Sequence, residues 1–427
     1  MKTSIKIITI FFLFSGICLG QITDSVIVPE SPVLDLNSLI DEAIQNNPEI
    51  RAAQADWDMF EAKIPQAKTL DDPQLNMMQE EIPGFKFGNA MYFRAELMQM
   101  FPYPGKLSSM EELARIKAQH SHHDHLEKIN AIIGKLKEMY FELWYVQQAS
   151  VLNRENFSLM KQFLNAISTK LRTGATSQQD VLKASIELSK ADIELLSLRQ
   201  KELSVKAMLM SMLNRSSKDT IGYATIAEEI AVLPSLDSIQ QLAMRLRPML
   251  KHDSVGVHES TTMIALAKKE YYPDFTVGLR YDTSPEKNFN GWTISAGITL
   301  PFAPWTIAKA DSRLQEAEIA LEKSQANLNA TRNMVIANIN DLYFKALANK
   351  QQLESFQTSI LPQTRQSLEA SLTAYQSGRT DFLMLLDSYR MLVDMTSEYY
   401  MKRMEFEQTL AQLDKEVGFQ NVAATKK

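Results

Sequence analysis

The densest chemistry in this chain is the run His120-Ser121-His122-His123-Asp124-His125, which holds four of the six histidines. On a helix, His120 and His123, His122 and His125, and His120 and Asp124 stand three or four residues apart, so each pair meets on one face. Imidazole pairs of that kind bind Zn2+ or Cu2+. The same run also reads as an exposed polar stretch of helix, the commoner fate of such residues. His120, His122, His123 and His125 are therefore candidate metal ligands of a weak relay site. A zinc protease would need His-Glu-x-x-His, which the chain lacks. Paired catalytic carboxylates, a nucleophile motif and a glycine-rich phosphate loop are missing as well, so neither an enzyme nor a cofactor is expected. Methionine is abundant, at 22 residues, and Met77, Met78, Met91, Met98, Met100 and Met110 gather around one segment. Thioethers ligate Cu(I), but methionine also fills irregular apolar space, and that role is the expected one.

The elements that must carry these residues are long. Leu107 to Thr173 runs 67 residues with no proline and one glycine, Gly134. As a helix rising about 1.5 Å per residue it would span roughly 100 Å. Thr306 to Ser377 runs 72 residues with no glycine and one proline, Pro362. Ordinary globular helices average about 11–12 residues. Ahead of the first rod, Asn37 can cap a helix starting near Ser38, and a second helix runs from about Pro48 to Leu70.

The chain is a tandem duplication. Leu36-Asn37-Ser38 matches Leu236-Asp237-Ser238, and Ala43, Pro48, Pro73 and Pro104 match Ala243, Pro248, Pro273 and Pro304, all 200 residues apart. Tyr140-Phe141 and Gly174 recur as Tyr343-Phe344 and Gly378. That period is too long for a solenoid repeat and marks a duplicated half. The expected divisions are a signal peptide over 1–20, an extended arm over 21–34, repeats over 35–234 and 235–418, and a tail over 419–427. In each half two shorter helices nearly match the long one in summed length. Laid end to end, they can run antiparallel beside it.

Residues 1–20 read as an export signal, with Lys2 and Lys6, the apolar run Ile7 to Phe14, and small residues at Cys18 and Gly20. A lipoprotein would retain Cys18 but prefers a small residue where Ile17 stands. If the signal is cleaved, the only cysteine goes with it, which excludes disulfides and thiolate metal sites. The formal charge of −6 argues against nucleic acid as a partner. With a mean hydropathy of −0.20 and no long apolar run, a membrane could be crossed only by β-strands.

Two segments, Gln74–Phe101 and Asp274–Leu300, alternate apolar and polar. Met91, Phe93 and Leu97 oppose Tyr92, Arg94, Glu96 and Met98. Phe275, Val277 and Leu279 oppose Thr276, Gly278 and Arg280. Trp292, Ile294 and Ile298 oppose Thr293, Ser295 and Thr299. A soluble sheet with one wet face alternates in this way, and so does a membrane barrel strand. The export signal, the duplication and the rods favour the barrel, with the apolar set facing lipid. Four strands cannot close a barrel, because eight is about the smallest number that works, so copies of the chain must share one. Three copies give twelve strands and twelve helical columns, although closure alone leaves two or four copies open.

This layout resembles the TolC family of outer-membrane efflux channels over nearly the whole chain. The resemblance is carried by Leu36-x-x-Leu39-x-x-Glu42-Ala43-x-x-Asn46-Asn47-Pro48-Glu49-Ile50 and Asp72-Pro73-Gln74-Leu75. It is carried further by Lys170-Leu171-Arg172-x-Gly174 with Asp180-Val181-Leu182, and by Ala374-Tyr375-Gln376-Ser377-Gly378. It implies a mainly α fold with membrane β: a homotrimer with a twelve-stranded barrel in the outer membrane of a diderm bacterium, continued by an α-helical barrel through the periplasm. It implies a passive exit duct of a tripartite RND-type system, with a periplasmic adaptor and an inner-membrane RND pump as partners. Arg172, Gly174 and Gly378 would then lie at the adaptor-docking tips. Relatives carry aspartates six and nine residues after the second tip glycine, ringing the periplasmic gate. Here those positions are Met384 and Asp387, with Asp381 as a further acidic candidate. The junction Met98-Gln99-Met100-Phe101-Pro102-Tyr103-Pro104-Gly105-Lys106-Leu107 resembles the branch that serves heavy-metal pumps. Ducts for drugs, organic compounds or type I secretion share the architecture, and a periplasmic coiled-coil scaffold or adaptor is the alternative of another class.

Overall fold

A computed structural model of the single chain describes residues 33–80, 92–174, 176–216, 219–284 and 288–418. The expected signal peptide, the tail and lipid-face residue Met91 lie outside these residues. The first half runs β1 (Val33–Leu34), α1 (Leu36–Asn46), α2 (Pro48–Lys68), β2 (Gln74–Glu80), β3 (Tyr92–Phe101), α3 (Lys106–Arg172), α4 (Gln178–Met212) and β4 (Tyr223–Ala224). The second runs α5 (Leu236–Leu246), α6 (Pro248–Lys269), β5 (Phe275–Ser284), β6 (Phe289–Ile298), α7 (Pro304–Ser355), α8 (Leu361–Gln376) and α9 (Phe382–Val417). The helices repeat in kind and order.

The first rod is α3, an unbroken helix of 67 residues. The second is not the single α-helix its composition suggests. A π turn at Phe356–Ile360 separates α7 from α8, just ahead of Pro362. Proline brings no N–H and its ring presses on the carbonyl of the preceding turn. A widened turn relieves both, and the column continues through α8. Shorter helices flank the rods as their lengths require: α2 and α4 lie along α3, α6 and α9 along α7, and α9 continues along α8. Because α3 also packs on α6 and α9, it joins the halves.

Helix starts follow local chemistry. Asp35, not the expected Asn37, caps α1, accepting from the backbone N–H of Asn37 at 3.3 Å and of Ser38 at 3.0 Å. A carboxylate ahead of the first turn satisfies two orphan donors and favours the positive end of the helix dipole. Ser177 and Asp180 form a reciprocal capping box at α4. Tyr140 anchors the largest core cluster, which joins α1, α3, α4 and the short parallel pair β1–β4. Its hydroxyl accepts from Thr225 N–H at 3.0 Å and lies 3.1 Å from the Leu34 carbonyl. The end of the expected arm is thereby a strand.

The duplication shows how different residues meet one demand. Asn47 is buried, accepts from Glu49 N–H at 2.9 Å, and donates to the Met212 carbonyl at the end of α4 at 2.8 Å. Arg247, 200 residues on, is also buried. It donates to the Lys415 carbonyl near the end of α9 and lies 3.1 Å from Glu127 on α3. Each half thus ties the residue before its helix-starting proline to the end of its last helix.

The strands form one antiparallel sheet in the order β2-β3-β5-β6. Leu75, Leu97, Leu279 and Ile294 lie in one cross-strand row, and Phe101, Phe275 and Ile298 in another. Within the chain, β2 and β6 are edges. Asn47→Ala removes both a cap and a buried donor to a helix end, so we expect a loss of about 1–3 kcal/mol. Urea unfolding of the purified protein checks this, since an unchanged midpoint would show the residue to be ornamental.

Candidate functional site

The sheet has two chemically distinct faces, because alternate side chains of a pleated strand point to opposite sides. The register puts Phe93, Leu97, Phe275, Val277, Leu279, Trp292, Ile294 and Ile298 on one face, as their alternation predicts. Nothing among the described residues covers it: Trp292 is 70% and Ile294 79% exposed. An uncovered apolar patch of this extent marks an interaction surface, a membrane included. The opposite face is charged and internally paired. Arg94 Nε donates to Asp282 at 2.8 Å and its Nη1 to Glu80 at 2.8 Å, while Arg280 Nε donates to Asp282 at 2.9 Å. Among the described residues, the methionines of the sheet divide between its two faces. Met77 lies on the apolar face, and Met78, Met98 and Met100 on the charged one.

The helical histidines part to two sides of α3: His122 and His125 share one, as their spacing allows, with the His123 ring 5.5 Å from that of His122, and His120 takes the other. His122 and His125 turn to Trp57 of α2, with ring centroids 4.4 and 6.1 Å away. His120 turns to α6, where its ring centroid lies 4.4 Å from that of His252 and its Nε2 lies 3.0 Å from a Glu259 oxygen, off full hydrogen-bond alignment. His252 Nδ1 is 3.0 Å from Asp253, and its Nε2 is 3.5 Å from Asp124. Burial and the neighbouring charges of His122, Lys251, His252 and His120 push His123 down to about 4, so that ring is neutral. Among the described residues, no three His, Asp or Glu groups already converge at ligand distance. His252, Asp253 and Glu259 were invisible in sequence because they sit in the other half, more than 120 positions away. Only the fold brings α6 against α3.

At the far end of the rods, Gly174 and Gly378 close the two turns at φ +71° and +70°. Nothing lies where a Cβ would stand, so the left-handed backbone alone calls for glycine. Lys170 of one turn donates to the Tyr375 hydroxyl of the other at 2.9 Å and sits over its ring. Arg172 is exposed, with its Nη2 3.4 Å from the Thr169 hydroxyl.

The three gate candidates have separate fates. Met384 is exposed. Asp381 caps α9, accepting from Met384 N–H at 3.1 Å, so its carboxylate is committed to the helix end. Asp387 is exposed and lies 3.3 Å from Arg390. Arg390 also grips Glu187 of α4, donating from Nε at 3.0 Å. Burial raises the Glu187 carboxyl, but the contacts with Arg390 and Lys190 outweigh it and hold the group below the usual carboxylate range. Arg390 is a residue that sequence reasoning missed. Its spacing of three from Asp387 was a readable signal; its tie to Glu187, 203 residues away, was not.

Comparisons with known proteins agree with this geometry. The model of the outer membrane efflux protein family matches residues 39–215 and 239–418. The cobalt-zinc-cadmium resistance protein CzcC of Cupriavidus metallidurans is 23% identical over 374 residues, 86% of this chain and 85% of its own. The multidrug resistance outer membrane protein MdtQ of Escherichia coli O157:H7 is 22% identical over 347 residues, 72% of this chain and 69% of its own. Among solved structures, CusC superposes with a TM-score of 0.78 at 17% identity, covering 90% of this chain and 91% of that one. The open-state MtrE channel of Neisseria gonorrhoeae gives 0.75 at 15% identity, covering 90% of this chain and 88% of its own. At these identities the superpositions speak to the fold.

Proposed function

The chain belongs to the outer membrane efflux protein family, whose model covers both its halves, and from that premise we propose that it is the outer-membrane exit duct of a tripartite RND-type efflux system. The observation that carries this reading is the four-stranded sheet with an uncovered apolar face and two free edges, set at one end of helical columns. Three copies close the barrel, with the apolar face in outer-membrane lipid and the charged face lining the lumen. Helix α4 supports the same assembly. Leu182, Ile186, Ile193, Leu196 and Leu203 recur at spacings of three, four and seven and are exposed on the single chain, a stripe fit for a neighbouring helix. Phe344 is likewise 58% exposed, whereas its counterpart Phe141 is buried.

The glycine-turn end, with Arg172, Gly174 and Gly378, docks on a periplasmic adaptor, and the inner-membrane pump supplies the energy. Heavy-metal cations are the favoured cargo. The strand-to-helix junction from Met98 to Leu107 supports this, as does the resistance named for the CzcC relative. Organic compounds are the second reading, favoured by the name of MdtQ. At the periplasmic mouth Asp387 forms the acidic ring. Three like carboxylates around a narrow pore attract cations and repel one another.

A deletion strain of the native host separates the cargo readings. We expect sensitivity to Co, Zn, Cd, Cu or Ag salts and unchanged tolerance of dyes, detergents and antibiotics; the reverse pattern discards the metal assignment. In planar bilayers Asp387→Asn should lower the preference for cations over anions while leaving a conducting pore. Unchanged selectivity would remove Asp387 from the gate.

A further inference from the structure

The groove between α2, α3 and α6 holds more ligand chemistry than the efflux reading uses. It encloses about 710 Å3, and its walls include His120 and Asp124 of α3, His252 and Glu259 of α6, and Asp56 of α2, with Lys117 also lining it. We propose that this groove is a divalent-cation site, with His120 and His252 supplying imidazole nitrogen and Asp124 and Glu259 supplying carboxylate oxygen.

Two observations carry the assignment. The first is the setting of His252. Its Nδ1 lies 3.0 Å from the Asp253 carboxylate and its Nε2 3.5 Å from the Asp124 carboxylate. A histidine whose second nitrogen is held by a carboxylate is the usual outer-shell arrangement of a metal ligand. The second is His120. Both its ring nitrogens are buried without an aligned hydrogen-bond partner, and Nε2 stands 3.0 Å from Glu259. Buried polar atoms ordinarily find partners, so an orphaned imidazole beside a carboxylate calls for one.

Two imidazoles and two carboxylates suit a borderline cation such as Zn2+ and match the ligand types of tetrahedral zinc sites. The donors stand around the groove rather than around one point, so ligation draws them in by side-chain rotation. Bound there, the cation clips α3 of the first half to α6 of the second. This site stands apart from the efflux reading, because it is read on purified protein whether or not the chain exports metal.

The test is calorimetric titration of ZnCl2 into full-length, detergent-extracted protein that carries no polyhistidine tag. The expected result is one saturable site per chain. His252→Ala and the near-isosteric Glu259→Gln should weaken binding by at least about tenfold, and Asp253→Asn by about 10–100-fold, the usual cost of losing an outer-shell partner. His122→Ala and His125→Ala, which face Trp57, should bind as the wild type does. Far-UV circular dichroism checks that each variant remains helical, and Glu259→Gln keeps the test sharp if a histidine variant misfolds. No saturable binding by the wild type, undiminished binding by Glu259→Gln, or loss of binding in His122→Ala overturns the proposal.

Discussion

Backbone N–H and C=O groups along the outer sides of β2 and β6 have no strand partner among the described residues. In hydrocarbon an unpaired backbone group costs several kcal/mol, because no water is there to take it. The sheet also presents a face of Phe, Leu, Val, Trp and Ile that none of the described residues covers. Each fact makes the other harder to satisfy. Water would solvate the edges but not the face, and lipid would accept the face but not the edges. Closure of the sheet with further copies of itself resolves both. Every strand then has two neighbours, the apolar face meets lipid, and the paired charges of Arg94, Glu80, Asp282 and Arg280 turn to an aqueous interior.

The helices follow from the same closure. Whatever continues a barrel below the membrane must be a ring of columns, and each half of the chain contributes two. One column is a continuous rod, and the other is built from two shorter helices stacked end to end. The rods hold together through buried contacts placed at the same stations in both halves. Asn47 reaches the end of α4 and Arg247 the end of α9, so the halves keep one geometry while their side chains diverge. Near the tips a buried apolar cluster of Met160, Ile167, Ala184, Phe382 and Leu386 joins α3, α4 and α9. The Lys170–Tyr375 contact and the Glu187–Arg390–Asp387 chain add polar ties between neighbouring columns around it.

Much of this was legible in the order of residues. The rods were visible as long runs without proline, the duplication as prolines and glycines at a fixed offset, and the sheet faces as strict alternation around Leu97, Leu279 and Ile294. What stayed hidden depended on distant pairs. Pro362 announced a disturbance but not its form, because a proline can kink a helix or be absorbed by a π turn depending on the packing around it. The histidine run announced metal chemistry, yet its spacing pointed to partners within α3. Its closest neighbours on the groove side belong to α6, and only packing of the two halves brings them near. Asn37 was the expected cap of α1, and the backbone uses Asp35, which stands ahead of the first turn. Asp381, a further acidic candidate for the gate, caps α9, a role that its three-residue spacing to Met384 allowed.

Native mass spectrometry of the full-length protein, released gently from detergent, tests the closure argument most directly. The account predicts an assembly of three chains that persists until the detergent is made denaturing. A folded monomer as the dominant species would contradict it, since the edges of β2 and β6 and the apolar face would then have found some other partner.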